Sequence, residues 1–460
     1  MPSLETSICA PIQPLLAKEL REIVDGRALW TMLLILCPLV GFSFFQAMEL
    51  YGEASSSAQQ SPVLAAGLSP LDGILVPTLG SFYVGITLLF PFVAIRVLGN
   101  EKETGALRLL VQLPYRSSTL IVIKLAAVLT GWVLAAVPAL SALLIWAALG
   151  GHLHPAETLN LLFGHLLYGL LIGAIALFAA SIAESAATAA IVTLAFTIGS
   201  WVLDFTVAGQ PGLLGWVSRL SLTQTLRPFE RGLWSASLIL GITTAICGFS
   251  ALAAIWLPPG VQLRTKLVRS TICIAVVGVV FGLASAVRLA ADVTEDRRNS
   301  FSAADQRALV RLKEPLIVTV HLTPEDPRYI DLQRNVLGKL ERTMPNVTIR
   351  LAGGRQALLG NAGDDSYGEI NYVYGARSDT SRSTSPREIL PLLYGLADAP
   401  LPAPSAAFDY PGYPFVSSGG VALIWFFGGL PLLIVVLWWR RRRPPSLAHK
   451  LSTKEESHVQ

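Results

Sequence analysis

The sequence NEKETGALRLLVQLPYRSSTLIVIKLAA, residues 100–127, lies between two long apolar runs. It opens with alternating charges followed by a threonine and a glycine: Glu101, Lys102, Glu103, Thr104 and Gly105. Apolar residues at helical spacing then predict a short helix, which Pro114 ends. These apolar residues are Leu107, Leu110, Val111 and Leu113. A helix of this kind suits a lever that moves both neighbouring spans, but an ordinary polar loop with snorkelling cations explains the pattern equally well.

The composition requires a non-aqueous environment for much of the chain. Hydrophobic residues make up 52 % of the 460 residues and charged residues 14 %, whereas a soluble domain carries about a quarter charged residues. A membrane-spanning helix needs about 20 predominantly apolar residues. We therefore predict an α-helical polytopic membrane protein with about eight transmembrane helices. The predicted spans are 28–49, 77–98, 119–148, 159–182, 187–206, 235–257, 269–290 and 418–439.

Lysine and arginine residues in short loops predict the orientation of these spans. The basic clusters fall on one side of the membrane if both termini are cytoplasmic: 18–27, 102–116, 264–266 and 440–443. Three arginines are exceptions on the outer side: Arg219, Arg227 and Arg231. This orientation places residues 291–417 outside, because long domains are translocated regardless of their own charge. We expect the first apolar run to be an uncleaved signal anchor.

The segment PIQPLLAKELREIVDGR, residues 11–27, precedes the first span and has an amphipathic helical pattern. Its apolar stripe consists of Ile12, Leu15, Leu16, Leu20, Ile23 and Val24. The other face consists of Lys18, Glu19, Arg21, Glu22 and Asp25. We predict an interfacial helix with its apolar stripe towards the membrane. The alternative is a solvated helix that packs on protein.

The polar region at 291–417 predicts a small extracytoplasmic α/β domain with a partly parallel sheet. The predicted strands are 316–322, 347–351 and 370–374, and the predicted helices are 327–344 and a segment that starts at Ser385. Pro391 is expected to shorten or kink the second helix. Residues 377–386 are expected to form a mobile loop, and residues 397–415 a tether rich in proline and alanine.

Several isolated polar residues are candidates for a functional site. They are His165, Asp204 and Glu184 in or near spans, His152 and His154 in an outer loop, His321, Asp364 and Asp365 in the outer domain, and Ser250 in a Gly-Phe-Ser sequence. His165 is the candidate for lining a path through the membrane. The others are better explained as anchoring groups, solvated loops or structural residues. No catalytic constellation and no metal site is predicted, since two histidines do not make a metal site.

The remaining sequence features argue against other classes of protein. The net charge is only +4 and the basic residues form no groove-binding patch, so nucleic acid is not an expected partner. The four cysteines suggest no disulfide framework. The chain has no phosphate-binding loop, because the glycine-rich stretch GGRQALLG at 353–360 lacks the lysine that phosphoryl chemistry needs. We therefore expect no ATP hydrolysis by this chain alone.

Three motifs, in the same order along the chain, resemble the type 2 ABC transporter permeases. They are KELRE at 18–22, the stretch at 100–127 described above, and LRPFERGLW at 226–234. Ala106 departs from the pattern, in which threonine is commoner. The region at about 265–440 resembles the auxiliary membrane subunit of gliding-motility-type ABC permeases. The stretch that carries this likeness is DVTEDRRNSFSAADQRALVRLKEPLIVTVHL, residues 292–322. In that family the outer domain is flavodoxin-like.

The resemblance implies a division of the chain into six parts. They are an N-terminus with an interfacial helix (1–27), a six-helix permease domain (28–257), a linker with the seventh span (258–290), an outer domain with a tether (291–417), an eighth span (418–439) and a basic tail (440–460). The N-terminal helix would then include Leu16, Lys18, Glu19, Leu20 and Arg21 as interfacial residues. The element that docks on a separate ATPase would be Glu101, Lys102, Glu103, Thr104, Gly105, Leu107 and Pro114.

The function implied is that of the permease subunit of an ABC-type exporter in the bacterial inner membrane. The expected partners are an ATPase subunit that binds ATP and magnesium, a second copy or a similar permease subunit, and the lipid bilayer. The alternative is a mechanochemical or scaffolding component that acts on the cell envelope through the outer domain. An intramembrane enzyme that uses Ser250 is the remote third hypothesis.

Overall fold

The computed structural model describes residues 12–59, 61–207, 221–323, 326–351, 367–402, 410–417 and 419–442. Within these ranges eight helices are long and apolar enough to cross a membrane, which confirms the predicted number. In chain order, and called the first to the eighth span, they are Arg27–Ala58, Leu71–Glu103, Ser117–Ala148, Pro155–Ile182, Ala186–Leu203, Ala236–Trp256, Leu263–Ser285 and Gly420–Arg442. The protein is therefore a mostly helical, polytopic membrane protein.

The ends of some spans differ from the prediction. The first span continues to Ala58, several residues beyond its apolar run. The seventh span starts at Leu263 and ends at Ser285, so it lies earlier in the chain than the predicted 269–290. Hydropathy marks the part of a helix that suits hydrocarbon, whereas the helical hydrogen bonds continue into flanking polar residues.

Three spans contain local irregularities of the helix. The second begins with a π-helical turn at Leu71–Leu75 before the α-helix Val76–Glu103. The third is divided at Ala136 into Ser117–Ala135 and Val137–Ala148, since Pro138 has no amide hydrogen to donate. The eighth consists of Gly420–Ile424, a π-helical turn at Trp425–Gly429 and Leu430–Arg442.

The fourth span lies at the centre of the bundle and contacts the second, third, fifth and sixth spans. Glycines along it allow bulky neighbours to approach. A Cβ atom at Gly169 would lie 2.1 Å from the Trp132 ring, and one at Gly164 would lie 2.5 Å from the Phe229 ring. On the first span, Gly41 in the same way admits Phe426 of the eighth span. Small residues at such contacts are typical of helix packing in membranes.

The described shorter elements flank the spans. The helices are the N-terminal helix Ile12–Asp25, Pro62–Ala65, the loop helix Ala106–Gln112, Leu222–Glu230, Ala303–Val310, Pro327–Leu332, a π-helical turn at Gln333–Leu337, Gly338–Thr343 and Pro386–Leu396. The strands are β1 Leu233–Ser235, β2 Ala290–Asp292, β3 Leu316–Val320, β4 Val347–Leu351, β5 Ile370–Tyr374 and β6 Arg377–Ser381. The antiparallel pair β1 and β2 joins the start of the sixth span to the chain after the seventh.

The second half of the chain contains a four-stranded sheet in the order β4-β3-β5-β6. β3 pairs in parallel with β4 and antiparallel with β5, so the partly parallel sheet is as predicted. Alternate residues of β3 and β5 face a separate apolar core under the helices: Leu316, Val318, Val320, Ile370, Tyr372 and Tyr374. This core stabilises the domain independently of the bundle.

Two expectations about this domain are wrong. The described strands do not form the doubly wound parallel sheet of a flavodoxin-like fold, because two of the three strand pairs are antiparallel. Residues 377–381, expected to be a mobile loop, form strand β6, since backbone pairing with β5 overrides their polar composition. Of the two effects expected of Pro391, shortening does not occur, since the helix continues to Leu396, and a kink stays a prediction. The segment 353–360 and residues Asp364 and Asp365 lie outside the described residues.

Long-range contacts place the loops at two ends of the bundle. At one end, Lys18 contacts Glu101, Lys102 contacts the turn after the fourth span, and Arg441 lies 3.6 Å from Asp25. At the opposite end, Phe415 donates a backbone hydrogen bond to Ser55, and the chain after the seventh span contacts the loop before the fourth. The described start and end of the chain therefore lie at one end, and the sheet domain joins the other.

Candidate functional site

A buried lysine joins three helices at the end of the bundle where the N-terminal helix lies. Lys124 of the third span has a side chain that is 2 % exposed, and its Nζ lies 3.0 Å from Glu19 Oε1 and 2.7 Å from Glu101 Oε2. It also donates to the backbone oxygen of Val97 at 2.8 Å. The contact with Glu101 is an ion pair without the alignment of a hydrogen bond. The N-terminal helix, the second span and the third span thus meet at one ammonium group.

Lys18 is the second cation of this cluster. It donates a hydrogen bond to Glu101, lies 3.8 Å from Glu22, and has a side chain that is 46 % exposed. Two carboxylates, those of Glu19 and Glu101, are therefore balanced by two ammonium groups. We call Lys18, Glu19, Glu101 and Lys124 the Lys124 network. Removing one member of a buried ion pair leaves an uncompensated charge, which costs about 3–5 kcal/mol.

Glu19 lies where the sequence pattern did not place it. The amphipathic pattern assigned it to the polar outer face, but its side chain is 1 % exposed and points at Lys124. That assignment is wrong because helical periodicity groups residues by face and is blind to a charged partner 105 residues away. Burial raises the pKa of the Glu19 carboxyl, and the positive charge of Lys124 opposes that rise.

The other titratable group of the N-terminal helix in the network is Lys18. Partial burial works to lower the pKa of Lys18, but the hydrogen bond to Glu101 and the charges of Glu19, Glu101 and Glu22 raise it by more. The net pKa lies above the ordinary value for lysine. Lys18 is therefore held in its charged form by the acids around it.

The acidic residues of the cluster have the spacing of a metal site, but two ammonium groups offset two of their three negative charges. Ligand oxygens of Glu19, Glu22 and Glu101 lie within 4.8 Å of one another. The ammonium groups of Lys18 and Lys124 lie against the same oxygens. The ion pairs of these side chains support a fixed joint between helices.

The residues after Glu101 separate into an inward and an outward group. Lys102 donates to the backbone oxygens of Ser181 and Ala183 at 2.7 and 2.9 Å, which fastens the turn between the fourth and fifth spans. Glu103 is exposed. The Thr104 hydroxyl donates to the Asn100 backbone oxygen at 2.7 Å, and closes the end of the second span. Of the predicted docking residues, Glu101 and Lys102 are thus engaged within the chain.

The loop helix Ala106–Gln112 starts at Gly105, whose φ of 75° lies in the region that favours glycine. Leu107 and Leu110 are buried against the bundle, while Leu109 is 68 % exposed on the opposite side. Pro114 follows the end of the helix, as predicted. The outward surface of this loop therefore consists of Glu103, Arg108 and Leu109, together with Leu113.

The N-terminal helix packs against the second and third spans. Ile23 is buried, and Leu20 is partly buried against the core. Leu16 is half-buried and Arg21 is exposed. The helix therefore lies on protein along one side, and its contact with the membrane interface stays a prediction.

His165 is buried in the fourth span. Its ring nitrogens lie 3.0 Å from the Leu161 oxygen and 3.2 Å from the Leu79 oxygen, and the ring stacks on Phe82. Both nitrogens are thus occupied by backbone oxygens of the second and fourth spans. A role in lining a path stays a prediction.

The other isolated polar residues are placed as follows. Glu184 is exposed in the turn, and His321 Nε2 lies 3.3 Å from Asn371 Nδ2. Ser250 Oγ has no hydrogen-bond partner among the described residues, whereas a serine nucleophile needs an adjacent base. Nothing is described of the Asp204 side chain.

A second polar cluster lies at the opposite end, where the sheet domain meets the bundle. Glu295 is its centre: it lies 2.8 Å from His152 Nε2, accepts a hydrogen bond from the Tyr413 hydroxyl, and its backbone amide donates to Glu157 at 2.6 Å. Nearby, Arg298 pairs with Asp72 and with Asp296. We call these residues the Glu295 latch. They join the loop after the seventh span to the starts of the second and fourth spans, to the loop before the fourth and to the segment before the eighth.

Sequence reasoning missed the latch and also missed Arg96. The signal for the latch was weak, since its residues are scattered over more than 300 positions. Arg96 offered a stronger signal, because it is an arginine within a predicted span, and such residues are functional suspects by default.

Comparison with known proteins finds one family likeness, in the first half of the chain. Residues 13–225 match the family described as "ABC-2 family transporter protein". The match includes the N-terminal helix, the first five spans and all four residues of the Lys124 network. No curated protein and no solved structure matches. Residues 13–225 of this chain are thus similar to the ABC-2 family transporter proteins, and this similarity supports an ABC-type permease.

Proposed function

We propose that this chain is the permease subunit of an ABC-type exporter and that a separate ATPase subunit drives it. The observation behind the proposal is the loop helix, which connects the second and third spans and has an exposed outward surface. The family match over residues 13–225 supports this assignment. In this proposal ATP and magnesium are bound by the partner, and the loop helix lies in the cytoplasm of a bacterial cell.

The Lys124 network supplies the mechanical part of the proposal. A force on the loop helix reaches the second span directly, because that span ends at Glu103. Glu101 and Lys124 then pass the displacement to the third span and the N-terminal helix, since a buried ion pair resists separation. Two such subunits, each pressed by an ATPase, would rock against one another as rigid bodies.

The structure changes which residues should be used to test docking. Glu101 is buried, so reversing its charge would damage the fold of the chain as well as any interface. Glu103 and Leu109 are exposed and make no contribution to the network. We therefore expect the docking contacts to be made by Glu103, Arg108 and Leu109, with Leu107 and Leu110 anchoring the helix from behind.

The test is a pull-down of the tagged chain in mild detergent from cells of its host. An ATPase with a phosphate-binding loop should co-purify with the native chain and be lost with Glu103→Lys and with Leu109→Asp. The matched control is Glu53→Lys, which reverses an exposed acid on the extension of the first span at the opposite end. Retention of the ATPase by both loop variants, or its absence from a folded native chain, would contradict the proposal.

A mechanochemical role through the outer domain is the second candidate, and the Glu295 latch favours it. The latch and the β1–β2 pair couple the sheet domain to the spans, so movement of the spans would also move the domain. The likeness of residues 265–440 to the auxiliary subunit of gliding-motility-type permeases belongs to this proposal. Substrate-stimulated ATPase activity in liposomes would favour transport. Loss of function on deletion of residues 300–400 with ATPase coupling intact would favour an outer partner.

A further inference from the structure

We propose that a groove between the first, second and fifth spans binds an anionic membrane lipid, with Arg27 and Arg96 holding its headgroup. The groove has a volume of about 420 Å³ and lies at the end of the bundle that contains the Lys124 network. Its walls come from residues 27–35, 89–96 and 186–190. No part of the Lys124 network lines it, so the two sites are separate.

The two arginines make the groove unlike an ordinary gap between helices. Arg27 and Arg96 both line it and both are exposed, and neither has an ion-pair partner among the residues that the structure describes. Arg96 lies seven residues before the end of the second span, which corresponds to about 10 Å along the helix axis. The apolar run of this span, 77–98, ends two residues after Arg96, so the guanidinium group lies near the boundary of the hydrocarbon, where it can bind an anionic headgroup.

The rest of the groove is apolar and open to the side. Ile35 and Phe92 line it and are 46 % and 45 % exposed, while Met32 and Ala190 form a buried floor. A ligand that fits both the two arginines and the apolar walls must carry a negative headgroup and a hydrocarbon chain. An amphiphile with these features is an anionic phospholipid, whose phosphate accepts paired hydrogen bonds from guanidinium groups.

Each arginine by itself has a simpler explanation. Arginines near the ends of spans extend their guanidinium groups to the headgroup region of the bilayer. If that explanation were sufficient, the protein would retain anionic and zwitterionic lipids equally. A bulky side chain in the groove would then leave lipid retention unchanged. The convergence of two unpaired guanidinium groups on one apolar groove is what points to a bound ligand.

The experiment is native mass spectrometry of the full chain released from nanodiscs that contain equimolar phosphatidylglycerol and phosphatidylcholine. The native protein should retain phosphatidylglycerol in preference to phosphatidylcholine. The double variant Arg27→Gln/Arg96→Gln should lower this preference about tenfold or more, since it removes two charged contacts. The matched control is Arg264→Gln, an exposed arginine at the start of the seventh span outside the groove.

A second variant tests the groove without altering its charge. Ala187 is an exposed lining residue, and Ala187→Trp should fill the groove and reduce retention of phosphatidylglycerol while both arginines remain. Inorganic phosphate should fail to displace the lipid, because it lacks the chain. Unchanged preference in the double variant, equal retention by the Ala187 variant, or displacement by phosphate alone would each overturn the proposal.

If the chain is a transport subunit, an anionic amphiphile is also the class of substrate that this groove would take. That extension rests on the proposed function, whereas lipid retention is measured without an ATPase. A chain that retains phosphatidylglycerol but captures no ATPase would keep the binding site and lose the transport proposal. A chain that captures an ATPase but does not prefer phosphatidylglycerol would keep the transport proposal and lose this binding site.

Discussion

The two ends of the bundle use similar residues in different surroundings. Three of the four members of the Lys124 network are buried, with side-chain exposures of 1–3 % for Glu19, Glu101 and Lys124. In the Glu295 latch, His152 is 34 % exposed and Asp72 is 53 % exposed. Buried ion pairs are costly to break, whereas exposed pairs contribute little and are screened by salt. We infer that the network is a permanent joint and that the latch is an adjustable one.

The largest expected effect comes from removing the ammonium group at the centre of the network. Lys124→Met should lower the free energy of unfolding by about 3–5 kcal/mol, because it leaves Glu19 buried without its closest counter-charge and leaves Glu101 with Lys18 alone. Lys18→Met should cost less, since Glu101 keeps Lys124 and Lys18 is half exposed. Unfolding in SDS, followed for the purified chain in detergent, measures both.

A rescue variant separates charge from packing. The triple variant Glu19→Gln/Glu101→Gln/Lys124→Met removes all three buried charges and should recover most of the lost stability. Equal stability of Lys124→Met and the native chain would mean that water reaches the network, and the contrast between the two ends would disappear.

A smaller effect is expected when the latch is opened. Arg298→Gln removes the partner of Asp72 and Asp296, and should lower the free energy of unfolding by about 0.2–1 kcal/mol, because Asp72 remains solvated. The difference from the native chain should shrink between about 0.1 M and 1 M salt. The loss in Lys124→Met should persist at high salt. A large, salt-independent loss for Arg298→Gln would make the latch a second permanent joint.

The sequence predicts the spans of this protein better than its sites. Eight apolar runs were sufficient to place eight helices, since hydropathy acts locally and every spanning backbone must satisfy its own hydrogen bonds. Most of the sheet followed from alternation of β-branched residues, as at Leu316–Val320. Strand β6 was missed because its five residues are polar and their pairing with β5 is a tertiary effect.

The candidate sites depend on contacts that no local pattern contains. Glu19 and Lys124 are separated by 105 residues, and Tyr413 and Glu295 by 118. Helical periodicity could place Lys18 and Glu19 on the same surface of one helix, but it could not show which of them is buried. The charges and proline of residues 100–127 predicted a short helix between two spans, and only the resemblance suggested docking. The inward direction of Glu101 and Lys102 required the packed bundle.

The smallest expected effect concerns the tyrosine of the latch at high pH. The hydrogen bond to the Glu295 carboxylate raises the pKa of Tyr413 from 10.0 to about 12. Because the pKa is higher in the folded state, this contribution is complete below pH 10.0 and is lost as the pH rises through about 12. We expect it to be about 0.5 kcal/mol, at the low end for a hydrogen bond, since both side chains are partly exposed.

Tyr413→Phe tests this contribution through its difference from the native chain. The pKa of Lys18 is raised as well, so the network also loses stability at alkaline pH, and the native chain should show both losses. Unfolding measured from pH 8 to 12 should show the two chains converging at the alkaline end, with Tyr413→Phe the less stable below it. A constant difference across this range would mean that the hydroxyl contributes through packing, and the titration of the latch would then be confined to its other members.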